Sequence, residues 1–313
     1  MYRIGIDLGG TKIAAALIDG ENRILYKVSA HTNAEMGNDH VSETIASLAN
    51  EVCRQADITA ADVERMGIAA PGAINSETGY IERAHNLMME HYPIVDRVCE
   101  LVGIKDIRIE NDANVAALGE AVAGAAKGTE CSVMVTLGTG VGGGFVINGK
   151  VFSGFNHIGG EFGHMVIEYN GRPCNCGRRG CWEAYSSATA LVKRTREVME
   201  QNPDSELHNV VKELGKVNGK AAFIASRRGD KAALALVDEY VSYLCCGIVN
   251  VINMLQPEVL CLGGGISNEG DGLMIPLQKK IDGEVFVRGI GRSTEIRIAK
   301  LANDAGLIGA ANL

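Results

Sequence analysis

Five glycines fall within the seven residues from Gly138 to Gly144, directly after an apolar run from Ser132 to Leu137. Glycine loses more backbone freedom on folding than any other residue, so such density is read as marking close approach of a ligand. A shorter glycine turn stands near the N-terminus, where Arg3–Gly9 and Lys12–Asp19 read as strands joined at Gly9-Gly10. Two strand, glycine turn, strand units about 130 residues apart predict a duplicated α/β fold with a cleft between its halves. The likeness between the two units is architectural and is not a sequence repeat.

The rest of the chain alternates strand and helix patterns. Ile24–His31 reads as a third strand, and Val41, Ile45, Leu48, Ala49, Val52 and Cys53 fall on one helical face. Met66–Ala70 is a short strand stopped by Pro71-Gly72. Ile107–Glu110 delivers Asn111-Asp112 ahead of a helix over 113–123. Gly138–Gly144 reads as a turn, with Gly144–Ile147 the returning strand. Helices are expected near Ala188–Gln201 and Lys231–Leu255, and a buried strand at Val259–Leu262 leads into Gly263-Gly264-Gly265. A length of 313 residues suits two α/β lobes. The net charge of −8, with no basic run, argues against a nucleic-acid partner. The most apolar stretch, Tyr243–Leu255, is broken by Asn250 and Asn253 and reads as a buried helix, so no membrane partner is expected. The chain enters a strand at residue 3 without a secretion signal, which predicts a cytoplasmic protein.

Three loops suit phosphates. In Asp7-Leu8-Gly9-Gly10-Thr11-Lys12 the glycines expose N–H groups, Thr11 adds a hydroxyl, and Asp7 is placed to hold Mg²⁺ through water; a plain glycine hairpin is the alternative. The loop at Gly138, Thr139 and Gly140 is neither a Walker loop nor a dinucleotide fingerprint, and a bulged hairpin is the competing reading. Gly264 and Gly265, after a buried strand, either admit a nucleoside or simply turn the chain. Asp112 is a candidate general base beside Asn111, or a helix N-cap, and the two roles can coexist. Glu161 and His164 are three apart among glycines and are placed to share one cavity; an exposed Glu161 beside a partly buried His164 is the alternative.

His164, Cys174, Cys176 and Cys181 form a thiolate and imidazole set that suits tetrahedral Zn²⁺; reduced cysteines in a loop are the alternative. Four protein ligands leave no open position, so such a zinc is structural. It would fix His164 near Glu161, and Cys181 near Glu183. The other six cysteines lie in apolar patterns and read as core, while Trp182 is expected to pack against the metal loop. The remaining six histidines form no constellation.

With these motifs assembled, the chain resembles the ROK family, specifically its bacterial glucokinase branch. The likeness rests on Asp7 through Lys12, Glu110-Asn111-Asp112-Ala113-Asn114, Leu137 through Gly144, Gly160-Glu161-Phe162-Gly163-His164, Cys174 through Glu183, and Leu262 through Gly265. It implies an actin-like (ribonuclease H-like) ATPase fold. A small lobe over 1–112 would be joined by a C-terminal helix within 303–313, and a larger lobe over 113–302 would carry the zinc loop. It implies ATP and Mg²⁺ as partners, and Asp112 as the base toward a sugar 6-hydroxyl. Asn111, Glu161, His164 and Glu183 would hold the sugar, with Gly72 and Asn86 as neighbours. His164 would serve zinc with one ring nitrogen and sugar with the other. ATP would lie across the loops at Asp7–Lys12, Gly138–Gly140 and Gly264-Gly265. Glucose is the expected hexose, with N-acetylmannosamine, N-acetylglucosamine, fructose and allose as alternatives, and polyphosphate as an alternative donor. Family members commonly form dimers or tetramers, so a homo-oligomer is implied. Regulators of the family carry an N-terminal helix-turn-helix, which the phosphate strand at residue 3 does not accommodate. A sugar-sensing binding protein is therefore the second reading, and an actin-like ATPase, with no use for the zinc set, the third.

Overall fold

The computed structural model describes residues 1–313. In chain order the strands and helices are β1 (Tyr2–Leu8), β2 (Lys12–Ile18), β3 (Ile24–His31), α1 (Asn38–Gln55), β4 (Val63–Ala70), β5 (Ala73–Asn75), β6 (Tyr80–Ala84), β7 (Met89–Tyr92), α2 (Ile94–Val102), β8 (Ile107–Asn111), α3 (Asp112–Ala123), β9 (Cys131–Leu137) and β10 (Val141–Ile147). There follow β11 (Lys150–Val151), α4 (Glu183–Ser186), α5 (Ala188–Gln201), α6 (Leu207–Leu214), α7 (Gly219–Arg227), α8 (Lys231–Leu255), β12 (Val259–Gly263), α9 (Asp271–Glu284), β13 (Glu295–Ile298) and α10 (Ala305–Ala310).

The chain divides into two compact units. The first comprises residues 1–134, 144–160 and 299–313. Its main sheet has the order β3-β2-β1-β4-β8, with β1, β4 and β8 parallel to one another and β2 antiparallel to β1. Side chains alternate across a strand, and this sheet sorts them by size. Ile4, Ile6 and Leu8 of β1 join the core beneath α1 and α2. The opposite face carries Gly5, Gly67, Ala14 and Ala16, and α10 lies against it. The small residues let the helix backbone sit directly on the strands: a Cβ at Gly5 would fall on the Leu307 carbonyl, and one at Gly67 on that of Ala310. The helix end is tied down as Arg65 and Arg108 donate to the Leu313 carbonyl at 2.8 and 3.1 Å, and Arg3 donates to Asn312. The first unit also takes in α3, which the expected boundary at residue 112 gave to the other lobe, because α3 packs on α10. A three-stranded sheet in the order β5-β6-β7 completes the unit.

The second unit comprises residues 135–143 and 161–298. The chain passes from one unit to the other within β9 and β10. These strands belong to a five-stranded sheet of order β11-β10-β9-β12-β13, in which β12 and β13 pair in parallel. The glycine run behaves differently from its sequence reading. The turn is only Gly138–Gly140, closed by the Gly138 N–H donating to the Gly140 carbonyl at 3.0 Å, and the strand resumes at Val141. Gly144 therefore lies inside β10, where a Cβ would press into Asn114 of α3. Its bareness serves close packing and not the turn.

The central helix of the second unit is α8, 25 residues long, packed by α4, α5, α7 and α9. It extends the apolar stretch from Tyr243 back to Lys231, and by length and composition it could reach across a bilayer. Its side chains from Ala233 to Ile252 are instead largely buried in the protein, as the sequence reading requires. None of the nine cysteines is in a disulfide. Of the six read as core, Cys53, Cys245 and Cys261 are buried and Cys99, Cys131 and Cys246 half-buried.

Candidate active site

In the first unit the expected residues gather at one edge because three parallel strands end together. Asp7 stands beside Ala69 in the β1–β4 register, and Ala70 beside Asn111 in the β4–β8 register. The carboxyl ends of parallel strands are where open α/β sheets place ligands. Gly9 and Gly10 follow Asp7, with the Gly9 N–H donating to the Lys12 carbonyl at 2.9 Å and Thr32 Oγ1 donating to the Gly9 carbonyl at 2.6 Å. Asn86 lies directly against Gly10. Thr11 and Lys12 border a depression of about 360 Å³ with Ser29, Ala30 and His31. Burial raises the pKa of Asp7, and the nearby Lys27 and Lys12 only partly oppose it.

Asn111 and Asp112 separate two roles that the sequence left open. Asn111, not Asp112, is the N-cap of α3: its Oδ1 accepts from the Ala113 N–H at 2.9 Å and the Asn114 N–H at 3.4 Å. Its Nδ2 donates to the Gly72 carbonyl at 3.2 Å, which leaves one N–H of the amide for a ligand. Asp112 is the first helical residue and is exposed, with Oδ1 accepting from its neighbour Ala113 N–H at 2.8 Å. The helix N-terminus favours a carboxylate there. A network that sequence reasoning missed lies below. The buried Glu110 accepts from the Asn111 N–H at 2.8 Å, Asn114 Nδ2 at 3.2 Å and Ser76 Oγ at 3.3 Å, and Ser76 Oγ meets His157 Nδ1 at 2.9 Å. The local signal was slight: in β8 Glu110 breaks the alternation of buried Ile107 and Ile109 with exposed Arg108.

In the second unit the chain from Glu161 to Glu183 is folded into a knot. His164, Cys174, Cys176 and Cys181 bring their donor atoms within 4.8 Å of one another. His164 Nδ1 lies 3.7 Å from Cys174 Sγ, and Cys176 Sγ lies 3.6 Å from Cys181 Sγ. Zinc–sulfur bonds of about 2.3 Å in a tetrahedron put neighbouring sulfurs about 3.8 Å apart, so the donor set fits a zinc ion. A backbone N–H bond from Arg178 lowers the Cys176 pKa, whereas burial and the neighbouring thiols push Cys181 up to about 12. To be held together as thiolates the three sulfurs would need a cation beside them, and a dication would supply it.

His164 turns its other nitrogen, Nε2, toward Glu161 at 4.0 Å. Glu183 opens α4, with Oε2 accepting from the Val141 N–H at 3.1 Å and Oε1 3.7 Å from Cys174 Sγ. The metal loop and the glycine turn therefore meet at this carboxylate, and a Cβ at Gly140 would collide with it. The turn is held from α5 as well: the Ala188 N–H donates to the Gly138 carbonyl at 2.9 Å and Thr189 Oγ1 to the Thr139 carbonyl at 2.8 Å. Thr139, Glu183, Cys174 and Lys193 are among the residues lining a cavity of about 410 Å³. Gly264 packs against the Leu137 backbone and Gly265 begins the following turn. Trp182 is fully buried. Its N–H reaches back to the Met165 carbonyl at 2.8 Å, while its ring lies on Gly247 of α8 and donates from Nε1 to the Tyr243 carbonyl at 3.0 Å.

Comparison with known proteins places these features in context. The ROK family model matches residues 3–313. A glucokinase of Halalkalibacterium halodurans is 37% identical over 309 residues, covering 98% of this chain and 93% of that one. A glucokinase of Thermotoga maritima is 37% identical over 311 residues, covering 99% and 96%. Among solved structures, a ROK family glucokinase of Streptomyces griseus in complex with glucose and AMPPNP superposes with a TM-score of 0.79 at 31% identity, covering 100% of this chain and 98% of that one.

Proposed function

This chain belongs to the ROK family and has its actin-like α/β fold, and on that premise we propose that it transfers the γ-phosphoryl group of ATP to the 6-hydroxyl of a hexose, with glucose the preferred acceptor. The observation that carries the reading is the shared carboxyl edge of β1, β4 and β8, where the Gly9-Gly10 turn with Asn86, the Gly72 carbonyl with Asn111, and an exposed Asp112 lie. Glucose is favoured by the relatives, whose names are glucokinase at 37% identity over nearly the whole chain.

Phosphoryl transfer asks the protein mainly for positioning and charge stabilisation. In this reading Asp112 accepts the proton of the attacking 6-hydroxyl, and the spare N–H of Asn111 orients the sugar. Glu161, His164 Nε2 and Glu183 bind further hydroxyls. In the Gly9-Gly10 and Gly138–Gly140 turns the Gly9 and Gly138 N–H groups close the turns, so the N–H groups of Gly10 and Gly140, the hydroxyls of Thr11 and Thr139, and the Lys12 ammonium hold phosphate oxygens, with Gly264-Gly265 against the nucleoside. Asp7 would hold Mg²⁺ through water, and that ion supplies charge neutralisation at the phosphates. His164 Nδ1, Cys174, Cys176 and Cys181 would hold zinc, which supplies a rigid clamp and no open coordination position.

The test is a coupled ADP-release assay on purified protein with ATP and Mg²⁺ across glucose, fructose, N-acetylglucosamine, N-acetylmannosamine and allose. The expected result is saturable turnover with the highest kcat/KM on glucose. A higher kcat/KM on another hexose would overturn the glucose assignment alone. Absence of ADP release with every sugar would overturn the kinase.

A further inference from the structure

Glu110 is a buried carboxylate, 4% exposed, that no step above uses. Buried acids are rare unless their acceptor sites are filled, and here the partners are specific. Its Oε1 accepts from the Asn111 N–H at 2.8 Å and from Asn114 Nδ2 at 3.2 Å; Oε2 accepts from Ser76 Oγ at 3.3 Å. The first donor is the N–H of the Glu110–Asn111 peptide, one residue before Asp112. The second lies in the first turn of the helix that Asp112 opens. Ser76 has a single hydroxyl proton, so when it donates to Glu110 its oxygen is placed to accept from an Nδ1–H of His157 at 2.9 Å. His157 Nε2 lies 3.8 Å from Glu77. His157 belongs to the loop after β11, remote in sequence from both partners.

We propose that Glu110 is a positioning residue for the Asn111–Asp112 turn, and that Ser76 and His157 hold it in register from the β5–β6 and β11 loops. The inference rests on the kinase reading, in which Asp112 must meet a hydroxyl in line with a phosphate. The N-cap alone does not fix the rotation of that turn, because the Asn111 side chain bonds only to N–H groups downstream of itself and to the Gly72 carbonyl. Glu110 grips the turn from its upstream side, on the Asn111 N–H, and grips the helix through Asn114. A displacement of about 1 Å at a reacting group can cost on the order of 100-fold in rate, so this grip bears on turnover more than on sugar affinity.

The experiment compares wild type, Glu110→Gln and Ser76→Ala for kcat, KM for glucose, the pH dependence of kcat, and melting temperature. Glu110→Gln preserves volume but presents an amide to three donors that want an acceptor. It is expected to lower kcat about 10–100-fold with less than a threefold change in sugar KM, and to displace the acid limb of the kcat profile. Ser76→Ala, the milder change, is expected to lower kcat about 3–10-fold in the same pattern. The double variant should fall no further than Glu110→Gln alone, because both act through one carboxylate. If Glu110→Gln or Ser76→Ala lowers melting temperature while kcat per folded chain and its pH profile match wild type, the residue is merely structural and the proposal is overturned. If Glu110→Gln does not fold, Ser76→Ala alone decides by the same criteria. Wild-type turnover on the hexose panel is run alongside, so failure of the kinase reading shows as an inactive wild type and not as an insensitive variant.

Discussion

Asn111 and Asp112 sit side by side yet are held differently, and that difference is the basis for testing each. Asn111 has most of its amide committed to the cap and to Gly72, so its replacement would disturb the helix start as well as any ligand. Asp112 is exposed at the first helical position, and Asp112→Asn keeps the shape. That variant should fold, retain zinc and bind sugar, while kcat falls by roughly 100-fold or more, the scale of a lost general base. Steady-state kinetics with sugar binding by calorimetry checks it, and near-normal turnover would remove Asp112 from the chemistry. Cys176 is the exposed member of the thiolate set, so Cys176→Ser perturbs little packing. Metal analysis should find zinc in wild type and its loss in the variant, with a rise in sugar KM as the loop carrying His164 and Glu183 relaxes. Purified wild type without zinc would dispose of the clamp. Asp7 gives a prediction of opposite sign for stability and activity. Burial raises its pKa above the ordinary value of 3.8, so the folded chain binds that proton more tightly than the unfolded chain. Asp7 therefore costs stability above its folded pKa, and the cost fades as pH falls from that value toward 3.8. Asp7→Asn should melt higher than wild type at neutral pH in chelator, and should lose turnover when Mg²⁺ and ATP are supplied.

The C-terminal helix is the element whose packing is most exacting. Gly5 and Gly67 leave α10 resting on bare backbone, and adding a single methyl at Gly67 would place it on the Ala310 carbonyl. Overpacking of this kind costs about 1–3 kcal/mol. Gly67→Ala should lose about that much in urea unfolding. Gly283→Ala, at a helical glycine with open space around it, should be neutral or gain by up to about 1 kcal/mol. Equal stability of the two variants would mean that α10 yields easily. The order of elements was legible because periodicity is written locally: β3, α5 and α8 lie where the sequence reading put them. The short β5–β7 sheet, α2 and the helices around α6, α7 and α9 escaped it, since brief or weakly alternating segments carry little signal. The gathering of His164, Cys174, Cys176 and Cys181 was legible for a different reason, as their close spacing in sequence lets one loop bring the four side chains together. Glu110, Ser76 and His157 were not, because three polar residues far apart in sequence become a network only when β8 is docked beside the β5–β6 turn. The glycine run was read as one long turn, whereas the turn ends at Gly140 and the strand resumes at Val141. What needs Gly144 is a helix about 30 residues upstream, which no local pattern shows.

Across the molecule neither unit is continuous in sequence. The first takes residues 144–160 and 299–313 back from later in the chain, and the second begins with residues 135–143 from β9 and β10. The segment 161–298 holds every proposed zinc ligand together with Glu161 and Glu183, so on motif grounds it looks self-sufficient. On structural grounds it is not. Without β9, one edge of the fully buried strand β12 would be left unpaired, and Gly264 would lose the Leu137 backbone it packs on. Glu183 would lose the Val141 N–H, and the Gly138 and Thr139 carbonyls that bind α5 would be absent. A buried strand edge stripped of its partner exposes unsatisfied N–H and C=O groups along its length and invites aggregation. Expressed alone with zinc supplied, 161–298 should show no cooperative thermal transition and should associate, whereas the whole chain melts sharply under the same conditions. A sharp transition and wild-type zinc affinity in the fragment would mean that the metal loop and α8 form an autonomous body. The β9–β10 strands would then matter to the site only as carriers of the glycine turn and not as part of what keeps Glu183 in place.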